Sequence, residues 1–161
     1  MALAWMVLCS VLFGPPPAGP SGDPDGPAVL AIPFIYEPER GAIVLELTAD
    51  RRTAHVLLDT GAARTVLSAD FLGVDTSSRE AARFFSGRPG VSGDGLWMRT
   101  PLALGGCDLG QGPVRIMDFS EVSRVYKRRV DGLLGQDILT RFQRVEIDFR
   151  ARRLRLIGSH P

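Results

Sequence analysis

The chain has 161 residues, of which 45% are apolar, and its formal net charge is +1. This length and composition fit one globular domain with a hydrophobic core. The near-zero charge argues against a general nucleic-acid-binding protein, and no nucleic-acid partner is expected. We interpret the basic runs Lys127–Arg129 and Arg150–Arg155 as solvated strand edges and turns rather than as a nucleic-acid patch.

The N-terminal segment is the first feature along the chain. Ala2–Phe13 is almost unbroken in its apolar character and is followed by a proline-rich stretch. It is shorter than the about 20 apolar residues that cross a bilayer as a helix. Its length fits the core of a secretory signal peptide, although no Lys or Arg precedes it. We predict a signal peptide over residues 1–22, export to the periplasm or outside the cell, and no stable membrane span in the mature chain. The alternative is a cytoplasmic protein with a misassigned start.

A region rich in Gly, Pro, Ser and Asp follows, from Gly14 to Pro27. Such a composition buries too little apolar surface to order itself. We assign residues 23–31 as a linker and residues 32–158 as the folded domain. The apolar run Val29–Ile35, which spans this boundary, also predicts a strand.

Two strands are predicted next, at Ala42–Thr48 and Thr53–Leu58, with a turn between them. The second leads directly into Asp59-Thr60-Gly61-Ala62, and another apolar run starts at Thr65. Burial at the end of a strand disfavours the charged form of a carboxylate, so Asp59 needs a partner or a function. The structural alternative is a turn aspartate whose side chain forms hydrogen bonds with its own backbone. The chain has one Asp-Thr-Gly, so a second such carboxylate has to come from a second copy.

The rest of the chain predicts mainly short strands separated by turns, which favours an all-β barrel or sandwich. In order, the predicted elements are a helical turn capped by Ser68 at Ser68–Leu72, a glycine-rich hairpin at Gly87–Gly95, strands at Pro101–Leu104 and Val114–Met117, a strand-to-turn transition at Val130–Gly135, a helix at Gln136–Phe142, and a terminal hairpin of Arg144–Phe149 with Arg153–Ile157. Asp137 lies at the start of the helix, where a carboxylate suits the helix dipole.

The order of these motifs resembles that of the retropepsin-like aspartic proteases, the single-domain family of retroviral and bacterial proteases. Asp59–Ala62 matches their catalytic motif, and Val91–Met98 falls where their flap hairpin lies. Leu133–Gly135 matches their apolar-apolar-Gly turn before a helix. The resemblance implies an all-β fold, a closed or partly open β-barrel of the retropepsin-like acid protease type with one short C-terminal-side helix. One departure is Ala63, where retroviral members usually carry an acidic residue.

The same resemblance implies an aspartic endopeptidase that hydrolyses a peptide or protein substrate. In the family's chemistry, one Asp59 from each chain of a homodimer activates a water molecule, with no cofactor, metal or covalent intermediate. The residues implied are catalytic Asp59, Thr60 and Gly61, with substrate contacts or loop support from Ala62, Val91, Ser92, Gly93, Leu133, Leu134 and Gly135.

Other interpretations stay open at this point. The same fold can serve as a catalytically silent module that binds peptides or a protein partner, or as a processing enzyme with one target. Trp97 is placed either in a substrate pocket or, equally, in the core or at the base of the flap. With His55 and His160 as the only histidines, zinc binding is not expected.

Overall fold

The computed structural model describes residues 29–75 and 96–158. The predicted signal peptide, most of the predicted linker and the flap residues Val91, Ser92 and Gly93 lie outside these ranges. The helices within them have four to seven residues, and none is long and apolar enough to cross a membrane.

The described residues form mostly β-structure, as predicted. In chain order the elements are β1 (Val29–Pro33), β2 (Ile35–Glu37), β3 (Ala42–Ala49), β4 (Arg52–Leu58), β5 (Val66–Ser68), α1 (Ala69–Leu72), β6 (Trp97–Leu104), β7 (Cys107–Met117), α2 (Ser120–Tyr126), β8 (Gly132–Leu134), α3 (Gln136–Leu139), β9 (Arg144–Asp148) and β10 (Arg153–Ile157). The helix predicted at Gln136–Phe142 is therefore confirmed in its first four residues.

Six strands close into a barrel in the order β3-β4-β8-β5-β7-β6, because β6 pairs back onto β3. Strand β2 extends this sheet at the outer side of β3. The predicted closed barrel is confirmed. Its interior is filled by alternate residues of each strand, as the period of two along a strand requires. The innermost side chains are Leu45, Leu47, Ala54, Val56, Leu67, Leu104, Val114 and Leu134.

The terminal hairpin is also confirmed, and it forms a second sheet in the order β1-β10-β9. Strand β1 starts at Val29 and so takes in the last three residues of the predicted linker, because Leu30 and Ile32 pair with Leu156 and Leu154. The single strand predicted over Val29–Ile35 breaks into two at Phe34, which is 6% exposed and donates its N–H to Arg152 O.

Helix α2 was not predicted. It lies over a small apolar cluster outside the barrel, formed by Val66, Phe119 and Val130 with Val122 and Tyr126 packed against it. No residue of the helix is itself buried. A half-exposed helix of two turns has too few apolar positions to produce a clear period of 3.6.

The pairing of β4 with β8 positions the rest of the molecule around the Asp-Thr-Gly segment. These strands run parallel, with Leu58 opposite Leu134, so the segments that follow them meet at one end of the barrel. Close approach depends on Gly132, because a Cβ there would lie 2.1 Å from Val66 O. Parallel pairing thus brings Asp59 and Gly135 together although they are far apart in sequence.

Candidate active site

The Asp59 carboxylate stands at the end of β4, half-buried, and its orientation is fixed by local backbone. Its Oδ1 accepts hydrogen bonds from the N–H groups of Gly61 at 2.9 Å and Ala62 at 3.1 Å. The N–H of Asp59 in turn donates to Leu134 O at 3.1 Å. Within the described residues, no hydrogen bond engages Oδ2. One carboxylate oxygen is therefore held in place and the other is available to a ligand.

The segment that follows β4, residues 59–65, is here called the Asp59 loop. Its far end is fastened by Thr65, which is 0% exposed. The Thr65 hydroxyl donates to Asp137 Oδ1 at 2.7 Å and accepts from the Gly135 N–H at 3.1 Å. The Thr65 N–H donates to the same Asp137 oxygen at 2.9 Å. A buried hydroxyl with both its donor and acceptor capacity used rigidifies its surroundings.

Gln136 holds the middle of the Asp59 loop. Its side-chain Nε2 donates to Thr60 O at 2.6 Å, and its N–H donates to Ala62 O at 2.8 Å. Gly135 lies so close beneath that a Cβ would come within 2.6 Å of the carbonyl of Arg64. Glycine is required at position 135 for space, since its φ of −101° is open to any residue. The loop therefore rests directly on the turn that precedes α3.

The structure brings the predicted residues of the described ranges to one place, in different roles. Asp59, Thr60, Gly61 and Ala62 form the exposed or half-exposed loop, and Gly135 supports it from below. Leu134 points into the barrel core and contributes only its carbonyl, whereas Leu133 faces outward beside Leu57 and Val66. The predicted flap residues Val91, Ser92 and Gly93 are outside the described residues.

Sequence reasoning missed Thr65 and Gln136 as parts of the site and treated Asp137 only as a helix-start residue. Two sequence features were available to suggest these roles: the polar residues Gln136 and Asp137 directly after Gly135, and Thr65 at the start of an apolar run. Each feature by itself is also explained by an ordinary structural role. Only the folded chain shows that Thr65 is hydrogen-bonded to Asp137.

A second carboxylate, Asp131, is buried near the barrel but is fully engaged. Its Oδ2 accepts from the His55 N–H at 2.9 Å and its Oδ1 accepts from Arg129 Nε. The hydrogen bond to Asp131 and the charge of Asp131 raise the pKa of the Arg129 guanidinium above its ordinary value. Asp131 is 2% exposed, so it has no face open to substrate.

A groove of about 440 Å³ lies elsewhere, on the outer face between β1, β2 and the β3–β4 hairpin. None of its lining residues belongs to the Asp59 loop. No group of three or more His, Cys, Asp or Glu in the described ranges could hold a metal ion. Within the described ranges, the Asp59 site of one chain thus presents a single carboxylate oxygen without a hydrogen bond.

Two solved structures resemble this chain. A retropepsin-like aspartic protease from Rickettsia conorii superposes with a TM-score of 0.54 and 18% identity, over 82% of this chain and 93% of that one. The retroviral protease-like domain of Ddi1 from Leishmania major gives a TM-score of 0.43 and 18% identity, over 74% and 93%. No protein-family model matches the sequence, and neither does any curated protein. The chain has the retropepsin-like fold, as its motif order predicted.

Proposed function

We propose that this protein is an aspartic endopeptidase whose active site is assembled from two copies of the chain. The observation that carries the proposal is the hydrogen bonding of the Asp59 carboxylate. One of its carboxylate oxygens is fixed by the N–H groups of Gly61 and Ala62, and the other has no partner in the described residues, at the exposed end of a retropepsin-like barrel. Bonds to the N–H groups two and three residues ahead also occur in a simple turn aspartate, so the proposal depends on the second oxygen and on the position of Asp59 at the end of the barrel.

The second carboxylate is best supplied by the Asp59 of a partner copy. Within the described residues, Asp131 and Asp137 are the carboxylates considered as alternatives; Asp131 already accepts hydrogen bonds from Arg129 and His55, and Asp137 accepts them from Thr65. A two-fold axis beside the loop would set the two Asp59 residues facing each other, as an isologous interface requires. Thr60, which is exposed, would then contact the partner's loop.

The chemistry follows from two like charges at close range. They cannot both ionise easily, so the pair holds one proton. The ionised carboxylate removes a proton from a water molecule as the water oxygen attacks the peptide carbonyl carbon. The protonated carboxylate hydrogen-bonds the carbonyl oxygen, and the C–N bond then breaks as the leaving nitrogen receives a proton. No covalent enzyme intermediate forms.

The test compares the wild-type protein with Asp59→Asn on a diverse peptide mixture, from acid to neutral pH. Asparagine keeps an oxygen for the Gly61 and Ala62 N–H groups, so the loop should remain folded. We expect new fragments from the wild type alone. Equal cleavage by the variant would overturn the proposal. A folded wild-type dimer that cleaves nothing but binds peptides would favour the silent binding module.

A further inference from the structure

Two arginines flank the end of the Asp59 loop, and the described residues offer them no carboxylate. We propose that Arg64 and Arg115 form an anion-recognising subsite next to Asp59, which selects substrates with an acidic side chain close to the scissile bond. This inference rests on the proposed function and specifies its substrate class.

The two arginines are adjacent through Thr65. Arg64 directly precedes Thr65 in the chain, and the N–H of Arg115 donates to Thr65 O at 3.1 Å. Thr65 is itself held by hydrogen bonds with Asp137 and Gly135, so the backbone next to both arginines is rigid. A subsite on rigid elements holds its charges in a fixed relation to the catalytic carboxylate.

Strand alternation sends the Arg115 side chain to the outside of the barrel. Its neighbours Val114 and Ile116 are 0% and 2% exposed and point inward. On the outer face Arg115 lies opposite Val66, and Val66 lies opposite Leu133. Leu133 is next to Leu57, two residues before Asp59. A row of side chains thus runs along the outer surface from the catalytic strand to Arg115.

This row is apolar at one end and cationic at the other. Leu57, Leu133 and Val66 pack into the apolar cluster beneath α2, and Arg115 stands next to Val66 where this covered part of the row ends. Beyond Arg115 the row continues to Trp97, which is 46% exposed and opposite Arg115 on β6. The exposed part of the row therefore consists of the Arg115 side chain and the neighbouring Trp97 ring.

The two arginine side chains lack acceptors in the described residues, which supports an anionic ligand. The Nε of Arg115 is buried and has no hydrogen-bond partner. Arg64 is exposed and forms no ion pair or hydrogen bond within the described residues. Exposed arginines such as Arg51 and Arg150 also lack an ion pair in the described residues, so the buried Arg115 Nε is the stronger observation. A buried donor without a partner is rare and calls for an explanation, and a substrate carboxylate would supply the missing acceptor.

A symmetric dimer would carry this subsite twice. Each copy would present one Arg64 and one Arg115 on its side of the scissile bond. Acidic side chains should therefore be favoured on both sides of the cleaved bond.

The experiment measures kcat/KM for paired peptides that differ only by Glu against Gln, or Asp against Asn, at positions near the cleaved bond. For the wild type we expect the acidic peptide to be preferred about 10- to 100-fold, the range typical of charge-assisted hydrogen bonds. Arg115→Met and Arg64→Gln should each reduce this ratio, with little change for the amide peptides. Arg150→Gln, a change at an exposed turn, should leave it unaltered.

A charge reversal at Arg64 adds a test in which a new preference, for Lys peptides, should be gained. Arg64→Glu should lower cleavage of acidic peptides and raise cleavage of the matching Lys peptides. Wild-type protein that cleaves acidic and amide peptides equally, with Asp59-dependent activity present, would overturn the subsite and leave the proposed function intact. If no peptide is cleaved, the proposed function fails. Binding of the same peptide pairs, followed by Trp97 fluorescence, then tests the subsite alone, and equal affinity would overturn it.

Discussion

The Thr65 hydroxyl donates to Asp137 Oδ1 at 2.7 Å, and through this bond the end of the Asp59 loop is fastened to helix α3. The same hydroxyl accepts from the Gly135 N–H, so one buried oxygen atom links the Asp59 loop, the turn after β8 and the start of α3. The geometry of Asp59 thus depends on a side chain that need not contact substrate.

Thr65→Val tests this linkage. It keeps the shape of the side chain but leaves the Gly135 N–H and the Asp137 carboxylate short of a partner. We expect the free energy of unfolding to fall by about 1–3 kcal/mol, and kcat/KM to fall further than stability alone explains, because a displaced catalytic group is costly. Urea denaturation and peptide cleavage measure the two effects.

Thr53→Val on the exposed face of β4 is the matched control, and it should change neither quantity much. Asp137→Asn retains one oxygen for both Thr65 donors and should be milder than Thr65→Val. A Thr65→Val protein with wild-type stability and activity would contradict the role assigned to the hydroxyl.

Local patterns in the sequence predicted most of the fold, and the motif order supplied the centre of the site. The strands near Asp59 alternate clearly, and Asp59 and Gly135 lie in motifs with short, readable signatures. Thr65 and Arg115 could not be predicted in the same way, because their roles arise from pairing between distant strands. Whether Arg115 faces the core or the outer row depends on the register of β7, and a shift of one residue would reverse it.

Gly135→Ala should disturb the Asp59 loop from below. The new Cβ would lie 2.5 Å from the backbone carbon of Arg64, and backbone cannot yield as a side chain does. Overpacking of this kind costs about 1–3 kcal/mol. We expect a lower midpoint of unfolding and a loss of activity greater than that of the control.

The control is Gly112→Ala, whose Cβ would come closest to the end of the Leu102 side chain, at 2.9 Å, and would meet no backbone atom among its nearest neighbours. Equal effects of the two substitutions would argue against a specific contact between Gly135 and the loop. A crystal structure of Gly135→Ala in which Asp59 has not moved would also argue against this contact.

Asp131→Ala should lower stability without acting directly on the chemistry. It removes the acceptor for the half-buried His55 N–H and leaves Arg129 without its partner, and the loss of these bonds costs about 1–3 kcal/mol. Asp131→Asn keeps an oxygen for His55 and should lose less. The exposed Asp70, which also lies near Arg129, provides the control, since Asp70→Ala should change stability by no more than about 0.5 kcal/mol. If Asp131→Asn abolishes cleavage while the fold and stability are retained, Asp131 is part of the catalytic machinery and its assignment here is wrong.

Mixing wild-type and Asp59→Asn chains tests whether the active site is shared between two copies. If each active dimer needs two Asp59 carboxylates, random exchange of equal amounts leaves about a quarter of the dimers competent, so activity per total protein falls to about 25% of wild type. Independent monomers would instead retain about half. Arg150→Gln mixed in place of Asp59→Asn should leave activity close to the wild-type value, since it removes no catalytic group. Exchange is driven by dilution and reconcentration, because subunits in a closed dimer otherwise mix slowly. Once subunit exchange is confirmed, an outcome near one half would mean that a single chain supplies both carboxylates, which would overturn the shared active site.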